Sequence, residues 1–192
     1  MKIFNFLFSI GSFVMPQMVC VQMPDTSLEQ AVQTVDSVVV LNDILNIQGG
    51  FDRVTYSHSD GSILEPFDYS IKVFSDSVQV YICNRSSSAS LKRTFPLTSQ
   101  KHSLFVNRLK KLDLHYKFQP NKRKMKVGGS SDYLSISRGD SVLFSTRNYS
   151  PVTLPGKVIT KDDVWQLFTN CLPVSFSNLR SELKRRTPDL NL

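Results

Sequence analysis

The chain has 192 residues, 41% of them apolar and 20% charged, with a formal charge of +7 and a pI near 9.4. These proportions exclude wholesale disorder and suit one folded domain with a leader and short tails. Its three cysteines form neither a CxxC pair nor a Cys/His cluster, which leaves no framework for a structural zinc.

The first 22 residues, MKIFNFLFSIGSFVMPQMVCVQ, carry one early charge, Lys2, and no other until Asp25. Their apolar stretch is too short and too polar for a membrane span of about 20 residues. It has the form of a signal-peptide core, so residues 1–22 read as a leader and the chain as exported to periplasm, envelope or medium. A buried N-terminal strand or helix is the alternative. Residues 23–174 then form a single α+β domain, and 175–192 a basic tail or short helix. Cys20 follows the bulky Val19, where a lipoprotein signal needs a small residue, which argues against a lipid anchor. Loss of Cys20 with the leader leaves Cys83 and Cys171. These would either pair across a long loop or stay as two buried thiols.

Next, Ser27-x-x-Gln30 has capping-box form before Leu28, Ala31, Val32 and Val35 at helical spacing. The β-branched run SVVVL reads better as a strand, so the stretch is either a short helix feeding a strand or one continuous helix. Gly49-Gly50 breaks the chain, and strict alternation from Phe51 to His58 predicts a strand ending at the Asp60-Gly61 turn. Tyr69, Ile71 and Val73, then Val78, Val80 and Ile82, form the arms of a hairpin around Ser75-Asp76-Ser77. A serine-rich loop follows. Thr98 or Ser99 caps a helix with Leu104, Phe105, Leu109 and Leu112 as its apolar stripe. The segments around Tyr116–Phe118, Tyr133–Ile136 and Val142–Phe144 return to β structure. Pro155-Gly156 marks a turn. Thr160 and Asp163 open a second helix, with Val164, Leu167, Phe168 and Cys171 on one face and Pro173 ending it. This order predicts α+β: a mostly antiparallel sheet with two or three helices on one face.

Chemistry is sparse. His58, His102 and His115 form no metal-ligand spacing, no GxSxG elbow occurs, and no cofactor motif is present. The most concentrated charge is Lys122, Arg123, Lys124 and Lys126, preceded by Lys110 and Lys111; it is a solvated surface or a basic binding patch. Arg138-Gly139-Asp140 is the adhesion tripeptide and also a good hairpin corner, since glycine tolerates positive φ. The reading is an exported, non-catalytic binding module, for example an inhibitor or immunity-type protein, with a protein partner for which an acidic surface suits the basic charge. The alternatives are a hydrolase with a scattered site, or a nucleic-acid binder if the N-terminus is retained.

Overall fold

Period-two alternation builds the main sheet. The computed structural model describes residues 38–59, 67–119, 130–156 and 158–186. The leader, the helix expected over 27–35, Cys20, the Asp60-Gly61 turn, Lys122, Arg123, Lys124 and Lys126 lie outside the described residues. Strands β2 (Arg53–Ser59), β3 (Phe67–Phe74), β4 (Ser77–Asn84), β5 (Ala89–Pro96), β7 (Ser131–Arg138) and β8 (Ser141–Ser145) pair in the order β5-β4-β3-β2-β7-β8. Every pairing is antiparallel. A smaller sheet joins β1 (Val38–Val40), β6 (His115–Phe118) and β9 (Tyr149–Pro151), ordered β1-β6-β9. The fold is α+β, as expected.

One face of the large sheet carries Val54, Ile71, Val73, Val78, Ile82 and Ile136, all fully buried. Each such side chain contributes about 1.5–3 kcal/mol through removal from water. The other face is polar. Thr55 lies opposite Lys72 and Ser135, and Ser70 opposite Ser57 and Tyr81. An antiparallel sheet with one covered and one wet face alternates in this way.

Helices α2 (Ser99–Leu112), α3 (Lys161–Thr169) and α4 (Phe176–Arg186) bring Phe105, Leu109, Phe168, Leu179 and Leu183 into the same core. The Thr98 side chain accepts from the Lys101 backbone and starts α2. Thr160 and Asp163 form the complete capping box of α3. The segment 175–186 is more than a tail: Leu179 and Leu183 are buried, and Arg93 on β5 pairs with Glu182. No helix among the described residues is long and apolar enough to cross a membrane.

Three local expectations change. The valine run is only a three-residue strand, and it turns directly into the short helix α1 (Leu41–Leu45). The serine-rich loop is shorter than its composition suggests, because β5 begins at Ala89 after Ser88 takes φ +55°. Leu104 is half exposed, so the core stripe of α2 is Phe105 and Leu109, with Leu112 packed against it.

Candidate functional site

On the helix side of the sheet, the register sets His58 between Asp132 of β7 and Tyr69 of β3. The Asp132 side chain is only 15% exposed. A carboxylate there must be hydrogen-bonded to stay charged. It has three partners. Tyr56 donates its hydroxyl to Oδ1 at 2.6 Å, His58 Nδ1 stands 2.7 Å from the same oxygen, and Lys161 Nζ lies 2.9 Å from Oδ2. A carboxylate only accepts, so Nδ1 of His58 carries the proton. Burial works to raise the Asp132 pKa, but the bonds from His58, Tyr56 and Lys161 hold it well below the usual carboxylate range. Burial, then the bond to Asp132, pushes the Tyr56 phenol far above its ordinary value.

Aromatic rings back this network. His58 stacks on Tyr69 with centroids 4.7 Å apart and planes at 12°. Trp165 meets Tyr69 at 5.0 Å and Phe176 at 4.8 Å, and Phe168 meets Tyr56 at 5.5 Å. Because Lys161 opens α3, the capping box of Thr160 and Asp163 fixes where its ammonium begins, and the rings fix where the helix lies.

A cleft of about 610 Å³ opens over Asp132. This falls within the usual range of small-ligand sites, about 300–1,000 Å³. Its walls come mainly from three stretches: the start of β6, the start of β7, and the segment from Thr146 through β9 to the start of α3. Leu114, Leu134, Leu154, Ile159 and Val164 make much of the surface apolar. Polar groups punctuate it. His115 Nε2 lies 3.1 Å from Asp113 Oδ1, and the Arg147 guanidinium sits 5.6 Å over the Tyr133 ring. Tyr116, raised by burial to about 12, stays a neutral phenol.

Both Asp132 oxygens are committed, and both buried phenols hold their protons at neutral pH. Among the described residues, no serine or cysteine side chain is bonded to His58 or His115, so the nucleophile–base pair of covalent catalysis is not assembled. Nor, among the described residues, does any group of three His, Cys, Asp or Glu side chains stand ready for a metal ion.

The residues singled out in the sequence lie elsewhere. Lys110 and Lys111 occupy the last turn of α2, where Lys110 Nζ donates to Asn46 Oδ1 at 2.6 Å. With Lys101, Leu104 and Arg108, Lys111 makes an exposed stripe along that helix. Arg138, Gly139 and Asp140 form the exposed corner of the β7–β8 hairpin, with Gly139 at φ +56°. Arg138 is folded back, donating to the Gln48 carbonyl at 2.9 Å, and the Gly139 amide donates to Asp52. Gly49, at φ +86°, leaves the space that the guanidinium fills. Cys83 and Cys171, read from the sequence as either a pair or two buried thiols, are free thiols, Cys83 half-buried and Cys171 buried. Strand alternation puts Cys83 on the polar face beside Tyr81, whereas Cys171 is buried with the helices. The sheet itself separates them. Burial raises the Cys171 thiol to about 11, although Lys101 and Arg108 pull it down.

Sequence reasoning missed the Asp132 network because its members stand 74 and 76 positions apart on β2 and β7, with Lys161 on α3. A signal was present. Val54, Tyr56 and His58 share one face by period two, and Asp132, Leu134 and Ile136 share another. Two polar groups on apolar faces call for a partner. Set against family models, curated proteins and solved structures, the chain matches none of them.

Proposed function

We propose that this chain is a non-catalytic binding module, exported with residues 1–22 as its leader, whose ligand occupies the cleft between β6, β7 and the start of α3. One observation carries the reading. A ligand-sized, largely apolar cleft stands over a carboxylate whose oxygens are fully engaged by Tyr56, His58 and Lys161. The engaged floor supports recognition rather than proton transfer, since a general base must be free to take a proton.

The experiment uses the neutral dye N-phenyl-1-naphthylamine, whose fluorescence rises in apolar sites. The wild type is expected to bind it saturably. Leu154→Glu, which sets a charge into the half-buried apolar wall, is expected to weaken binding by about tenfold or more. Equal binding by both proteins would remove the cleft as the site. A second reading, an acidic protein partner, is favoured by the exposed Lys101, Leu104, Arg108 and Lys111 on α2. A partner on that helix would leave dye binding unchanged.

A further inference from the structure

Two carboxylates, Asp113 and Asp132, and two permanent cations, Lys161 and Arg147, line the cleft, but they do not pair off, and the cation left without a carboxylate points to a ligand class. Asp132 is answered by Lys161 at 2.9 Å. Asp113 is held by His115 Nε2 at 3.1 Å and by Asn42 Nδ2 at 3.4 Å. Arg147 lines the same cleft, and among the described residues it has no carboxylate partner. Its guanidinium carbon nonetheless lies 5.6 Å from the centroid of the Tyr133 ring, within cation–π range. A cation–π contact uses no carboxylate and leaves the guanidinium's edge of N–H donors for another partner. That edge matches the paired oxygens of a carboxylate or sulfonate. The 3-10 turn Thr146–Asn148 carries Arg147. Thr146 anchors that turn by accepting the Leu134 amide at 2.9 Å through its buried hydroxyl. The turn that carries the cation is therefore anchored at its root, which lowers the entropy lost on binding.

Resting on the reading of the cleft as a ligand site, we propose that its ligand is a small amphipathic anion. An apolar or aromatic body lies against Leu154, Ile159 and Val164, and a single acidic head meets Arg147. Charge complementarity selects this class over a neutral hydrophobe, because a guanidinium that lines an apolar cleft with no carboxylate partner among the described residues gains from an anion and nothing from a hydrocarbon.

Two dyes of similar aromatic body test it. 1-Anilinonaphthalene-8-sulfonate carries the anion, and N-phenyl-1-naphthylamine lacks it. The wild type is expected to bind the sulfonate more tightly than the neutral dye, with a preference that shrinks as salt is raised. Arg147→Gln is expected to weaken sulfonate binding by about tenfold and leave the neutral dye unchanged. Arg147→Lys should fall between, keeping the charge and losing the planar fork. Arg147 is exposed, so these variants should fold as the wild type does. Unchanged sulfonate binding in Arg147→Gln, with the neutral dye still bound, overturns the anion and leaves the cleft standing. Failure of both dyes to bind the wild type overturns the two readings together.

Discussion

Asp132→Asn destabilises the protein by about 2–4 kcal/mol at neutral pH, the cost of uncoupling a mostly buried charge from partners that remain. Asparagine keeps the shape but loses the charge that Lys161 answers, and its amide cannot accept at both ends as the carboxylate does. Acid should reproduce the effect in the wild type. The folded carboxyl titrates below its unfolded value of about 4, so the unfolded chain binds the proton first. The stabilisation is therefore complete above about pH 5 and is lost as pH falls from there toward the depressed folded value. Urea unfolding of both proteins at pH 7 and pH 2 checks this. The gap between them should narrow at the lower pH. A gap that stays constant would show that Asp132 contributes no linked protons.

Phe168→Ala is the second large loss, about 3–5 kcal/mol, from the vanished ring and the cavity left behind. Phe168 is fully buried and links α3 to both neighbours, meeting Tyr56 of β2 at 5.5 Å and Phe105 of α2 at 5.2 Å. Phe168→Leu should recover part of the loss. The unfolding midpoint should fall while the slope on denaturant stays fixed, as expected where stability alone changes. A loss below about 1 kcal/mol would mean that α3 is not docked as described. The cleft would then lack its Lys161 and Val164 wall.

These two residues mark what could be read from sequence. Phe168 was legible, because Val164, Phe168 and Cys171 repeat at helical spacing behind a capping box that is fully formed. The β3–β4 hairpin was legible for a similar reason, as alternation and a polar turn agree there. Local signals of this kind are written in neighbouring residues. The start of β5 was hidden because Ser86 to Ser90 resemble a loop, and pairing with β4 overrides that composition. Asp132 was hidden more deeply. Its partners come from two other elements, and only the register of β2 on β7 brings them together. Arg147 fails locally too, since nothing in Thr146-Arg147-Asn148 says that a tyrosine on β7 will lie under the guanidinium. Charge runs drew notice in the sequence because they are contiguous. The cleft is assembled from single residues far apart.

The central claim is that the cleft over Asp132 takes the ligand. Amide chemical-shift mapping of the labelled protein during titration with N-phenyl-1-naphthylamine tests it most directly. Shifts concentrated at residues 113–116, 131–134, 146–149 and 152–164 are the predicted result. Shifts centred on α2 or on the polar face of the large sheet, with those segments unmoved, would contradict it.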